Sequence, residues 1–148
     1  MNTLSKPFKA FRSTAKASIH TLLAVFVFGI IVNLFVELPT NLPGGNAWMW
    51  SFTNSPLIVI HVILGTLLTV LSLVTVIFSM LAHTKQGIIA SVFGLLFTML
   101  AYATGAQFLS AAQTNVSSLL MALGFLGALI SYGLGVYLTK GEGKVKAI

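Results

Sequence analysis

Four long runs of apolar residues leave this chain few ways to fold. They extend from about Ile19 to Val36, Pro56 to Ala82, Ile88 to Leu109 and Leu119 to Leu138, and none contains Lys, Arg or Asp. Each matches or exceeds the roughly 18 to 20 residues that a helix needs to cross about 30 Å of hydrocarbon. In lipid a backbone must satisfy its own hydrogen bonds, so such runs form helices. Only 7% of the 148 residues are charged and 57% are hydrophobic, where a soluble domain carries roughly 25% charge. The chain lacks the charge to cover a water-facing surface. The expected fold is all-α, a four-helix antiparallel transmembrane bundle over residues 18–139.

The cations predict an orientation. Lys6, Lys9, Arg12 and Lys16 precede the first run, Lys85 separates the second from the third, and Lys140, Lys144 and Lys146 follow the fourth. Four crossings bring these three regions to one side. By the positive-inside rule that side is the cytoplasm, which places both termini inside a cell (plasma) membrane. The net charge of +6 is then a surface for anionic lipid headgroups, and no folded basic face is left for nucleic acid. The absence of cysteine excludes disulfides, thiolate nucleophiles and cysteine metal sites. The first run is too long for a cleavable signal, and no small-residue cleavage motif closes it before Asn33 and Glu37. Asn115-Val116-Ser117 matches a glycosylation sequon, a cheap pattern.

Residues 1–17 read as a cytoplasmic interfacial basic helix, and residues 140–148 as a basic tail. At 100° per residue Lys6, Lys9, Arg12 and Lys16 share one face, with Leu4, Phe8, Phe11 and Ala15 opposite. That arrangement suits a helix lying in the headgroups, capped by Ser5 with Pro7 in its first turn. On the other side, the segment LPTNLPGGNAWMWSFTN alternates Trp48, Trp50 and Phe52. It reads as an aromatic belt at the interface, or as a lid over the mouth of the bundle. The VFG of residues 27–29 recurs at 92–94, and LGTLLTVLS at 64–72 resembles LGFLGALIS at 123–131, a faint repeat of two helical hairpins.

Polar and small residues gather into stripes. On the second run His61, Gly65, Thr69, Ser72, Thr75, Ser79 and His83 fall within about 80° of one another, a face that must turn inward because hydroxyls and imidazole are costly against lipid tails. The third run aligns Gly87, Ser91, Gly94, Thr98, Ala101 and Gly105; the fourth aligns Ser117, Gly124, Ala128, Ser131 and Gly135. These are seams along which helix backbones approach closely. An ion path along the hydroxyls would need a membrane-embedded carboxylate, and there is none.

His61 is the candidate cofactor-binding residue. One reading is a polar clasp, with His61 hydrogen-bonded to Glu37 and Asn33 on the first run. The other is a ligand to haem iron or a hydrogen bond to a quinone; pH sensing and ion binding stay open. His20 and His83 lie at the cytoplasmic end, roughly 30 Å away at about 1.5 Å per residue. Either they form an inner site or His83, beside Lys85, is a solvated helix end. At the depth of His61 the remaining ligand type is the thioether of Met121.

The pattern His61-x-x-x-Gly65 in a short four-helix chain resembles the haem-bearing hairpins of small b-type membrane cytochromes, those related to cytochrome b561 and haem A synthase. The resemblance covers one hairpin and implies a haem b held by His61. In such families a second histidine stands near the start of the last helix of the pair, and the stretch TNVSSLLM at 114–121 has none. No nucleophile–base pair, paired carboxylates, metal-spaced ligands or phosphate loop supports catalysis. The expectation is a small non-enzymatic integral membrane protein that binds a cofactor or a membrane-protein partner, itself included, through its interior and outer mouth. A redox protein with haem b or a quinone at His61 is the alternative, and small-solute transport a further one.

Overall fold

The computed structural model describes residues 5–39, 42, 47–110 and 114–142. Leu4, Gly44, Gly45, Lys144 and Lys146 lie outside them. Five helices follow in order: α1 (Lys6–Phe35), α2 (Trp48–Asn54), α3 (Pro56–Leu81), α4 (Lys85–Ser110) and α5 (Asn115–Leu138). All but α2 are long and apolar enough to cross a membrane. They form a ring in which α1 packs chiefly on α3 and α4 on α5, with α3 beside α4 and α1 beside α5. Exposed Leu, Ile, Val and Phe side chains line the outside along its length.

Local chemistry sets the helix ends. Ser55 caps α3 by accepting from the Ile58 N–H at 3.5 Å, with Pro56 following. Thr114 caps α5 through the Ser117 N–H at 3.3 Å, so the hydroxyls around the sequon serve a helix start. α3 stops at a turn in which His83 adopts φ 51°, the left-handed conformation that closes many helices.

Of the surface helix expected over residues 1–17, residues 6–17 are instead the beginning of α1, which runs unbroken for 30 residues. At 1.5 Å per residue it is about 45 Å long, some 15 Å more than a hydrocarbon core requires. Phe8, Phe11 and Ala15 are almost wholly buried, and a Cβ added to Gly87 would meet the Phe11 ring at 3.0 Å. The amphipathic pattern was legible, but its apolar face packs on protein rather than lying in headgroups. Nothing between Ala15 and Ile19 breaks a helix, so it continues into the apolar run. Ser5 occupies the N-cap position without a side-chain bond.

Phe11 also ties the ends together, since Gly87 opens α4 and Gly135 closes α5, and both face its ring. Lys6, Lys9, Arg12, Lys85 and Lys140 therefore share one end of the bundle, the basic end; α2 lies at the other, the tryptophan end. Between them Ser72, Thr75 and Ser79 of α3 are buried, with Ser91, Gly94 and Thr98 of α4 and Gly124, Ala128 and Ser131 of α5, as the stripes predict. The hydroxyls join neighbouring helices, Ser18 with Thr75 at 3.4 Å and Ser79 with Ser91 at 2.7 Å. Most also bond back to their own helix: Ser72 donates to the Leu68 carbonyl and Thr98 to that of Gly94, both at 2.8 Å.

Candidate functional site

Two apolar clusters fill the bundle at different heights. Leu22, Leu68, Ala128 and Tyr132 form the one near the middle, and Ala47, Ile58 and Leu109 form the one at the tryptophan end, with Trp48 and Trp50 packed on it. Between them lies a cavity of about 580 Å³, a volume typical of small-molecule sites. It reaches from Leu109 down to Thr98 on α4, eleven residues or about 16 Å of helix. Its walls are mainly aliphatic and aromatic, with polar contributions from Asn33, His61, Thr98, Tyr102 and Ser118.

The short helix α2 lies at the cavity mouth. α2 has only 7 residues, too few for a helix to persist unaided, and long-range bonds hold it. The Ala47 N–H donates to the Leu109 carbonyl at 2.8 Å, and the Trp48 indole donates to Ser110 Oγ at 2.8 Å. Trp48 lines the cavity, whereas Met49 and Phe52 face outward. The described part of the segment thus packs Trp48 and Trp50 on the inner cluster and leaves Met49 and Phe52 exposed.

His61 lines this cavity but makes no clasp with Glu37. Its ring lies on α1 at Gly29, where an added Cβ would come within 3.1 Å of Cε1. Gly29 lies two turns from Glu37, about 12 Å along the axis, and Glu37 is exposed beyond the end of α1. The absent side chain at 29 creates the space that draws the imidazole inward. Nδ1 is buried with no hydrogen-bond partner. Asn33 lies on the cavity wall, one turn above Gly29.

The other histidines are elsewhere. His20 is exposed and donates from Nδ1 to the Lys16 carbonyl at 2.7 Å. His83 is exposed in the turn after α3. Among the described residues no group of three or more His, Cys, Asp or Glu is placed to hold a metal ion.

Met121 shares the cavity with His61. His61 is the one histidine on that wall among the described residues, so no second imidazole stands ready there.

Three further features carry no simple sequence signal. The Phe26 and Phe125 rings stack at 4.5 Å where α1 meets α5. Tyr102 covers Gly65 and pairs with the Thr66 hydroxyl at 3.3 Å. Tyr132 fills the notch at Gly94, its hydroxyl directed toward Ser72 and Thr98 without closing a bond to either. Each depends on helix rotation, which periodicity alone does not specify. No protein-family model, curated protein or solved structure matches the chain.

Proposed function

We propose that this is a non-enzymatic integral membrane protein that holds a small apolar ligand in the half of its bundle nearest the tryptophans. The carrying observation is the 580 Å³ cavity, bounded by packed clusters above and below and containing one buried, unpartnered imidazole nitrogen. A cavity with such walls favours a ligand that dissolves in lipid, and the buried, unpartnered nitrogen of His61 orients it. The cluster beneath the cavity supports retention over passage, which ranks small-solute transport lower. The four long apolar helices support a multi-pass location. The gathering of the described cations at one end supports a cytoplasmic basic face against anionic headgroups, in a plasma membrane with both termini inside.

The test is to purify the protein in mild detergent, extract it with organic solvent and identify what co-purifies by mass spectrometry. About one apolar molecule per chain is expected, and Ala122→Trp, which projects an indole into the cavity, should eject it. If the wild-type extract holds nothing beyond what the Ala122→Trp extract holds, the proposal fails.

The competing reading is a redox protein with haem b at His61, favoured by the shared cavity wall of His61 and Met121. It requires a Soret band in protein from haem-replete cells and loss of that band in His61→Ala.

A further inference from the structure

We infer that the ligand is a single-chain amphiphile with an uncharged polar end, taken in sideways from the bilayer between α1 and α5. Its head lies at Asn33 and Ser118, and its tail runs down inside the bundle. This deepens the reading of the cavity as a site for a lipid-soluble molecule and rests on it. The entrance follows from exposure, because a residue that lines the cavity and also faces outward marks a gap through the wall. Ile30, Asn33 and Leu34 of α1 do both, as do Ser118 and Ala122 of α5. Between α3 and α4 Tyr102 does so too, but it closes its own gap by covering Gly65 and pairing with the Thr66 hydroxyl. At the tryptophan end α2 is pinned to α4. The slot between α1 and α5 therefore opens sideways, and with the bundle in a bilayer it meets lipid rather than water.

The slot has a polar top and an aromatic floor. Asn33 lies close to the end of α1 and Ser118 close to the start of α5, so each rim carries one polar side chain near the tryptophan end. From each, seven residues lead down to the stacked Phe26 and Phe125 rings, about 10 Å of helix. The enclosed Nδ1 of His61 lies between these levels, beside Gly29. An amide and a hydroxyl offer donors and acceptors alike, and turned outward at membrane depth they cost free energy until a polar group meets them. Charge then restricts the head. Among the described residues, no Lys, Arg, Asp or Glu lines the cavity. A charged head of either sign would enter a wall without a counter-charge, which is costly. Glu37, exposed one turn beyond Asn33, repels an anion besides.

The experiment uses the full chain in zwitterionic nanodiscs with Trp50→Phe, which leaves Trp48, on the cavity wall, as the sole indole. Four probes of equal chain length are titrated against Trp48 emission: 1-monolauroylglycerol, laurate ionised in alkaline buffer, dodecyltrimethylammonium and dodecane. One net hydrogen bond is expected to make 1-monolauroylglycerol saturate at about tenfold lower mole fraction than dodecane, and both ions should trail it. Asn33→Leu combined with Ser118→Ala should remove that preference while dodecane still binds; both side chains are exposed, so the bundle keeps its packing. For the path, Ile30→Cys and Met49→Cys are capped with N-benzylmaleimide in detergent before reconstitution. The cap at Ile30 should slow the response to 1-monolauroylglycerol severalfold, and the cap at Met49, on the outer face of α2, should leave it unchanged. Three results overturn the inference and leave the cavity reading standing: any other probe matching 1-monolauroylglycerol, a preference that survives the double variant, or slowing by the Met49 cap in place of the Ile30 cap. Silence from every probe overturns both.

Discussion

One substitution, made at two sites in α5, tests the packing of the bundle because its sign should reverse. A Cβ added at Gly124 falls 2.8 Å from both the Ala101 nitrogen and the Phe97 carbonyl oxygen, and 2.9 Å from Ala101 Cβ. Two of these are backbone atoms of α4, so no side-chain rotation relieves the contact. Carbon atoms in good contact stand about 3.5 to 4.0 Å apart, so the two helices must part by roughly 1 Å. Overpacking of this kind costs about 1 to 3 kcal/mol, and the better helix propensity of Ala returns up to about 1 kcal/mol. Gly124→Ala should therefore lose about 1 to 2 kcal/mol. At Gly133 an added Cβ meets nothing within 4 Å, so Gly133→Ala keeps only the propensity gain. The two variants should unfold roughly 5 to 10 °C apart by far-UV circular dichroism in the same detergent, with wild type between them. If Gly124→Ala unfolds at or above wild type, the α4–α5 seam is not packed as described.

Other outcomes follow from single features. His83→Gly should gain about 1 kcal/mol, because the φ of 51° strains any residue with a Cβ; an unchanged unfolding midpoint argues against that turn. Thr114→Ala should lose about 1 kcal/mol as the start of α5 loses its cap, and amide exchange should rise first at Ser117. The cysteine-free chain suits accessibility labelling: Lys85→Cys and Lys140→Cys should react from one face of a sealed vesicle and Asn54→Cys from the other. Labelling of Lys85→Cys and Lys140→Cys from opposite faces would reject the four-crossing topology.

The basic stripe and the seam residues show where local pattern suffices and where it stops. Gly87, Ser91, Gly94 and Thr98 are legible as an inward face because α-helical spacing and lipid chemistry act residue by residue. Phe8 and Phe11 are legible as one apolar face, but what covers that face is not local information. The same stripe suits a headgroup layer or a neighbouring helix, and the bundle supplies the helix. His61 shows the limit most clearly. Its inward orientation can be read from its neighbours, while Glu37, Asn33 and Gly29 all lie on the opposing face as possible contacts.

From residue order alone come the four apolar helices, the inward faces of their stripes and the grouping of the cations at one end. These follow from hydrophobicity, helical periodicity and alternation along a single chain. Tertiary packing decided the rest: the axial offset of α3 against α1 seats the imidazole at Gly29, and the bonds from Ala47 and Trp48 fold a loop into a cover. It also left the space between two apolar clusters. Such features depend on helix shifts of a few ångströms, which side-chain volumes from several helices set jointly.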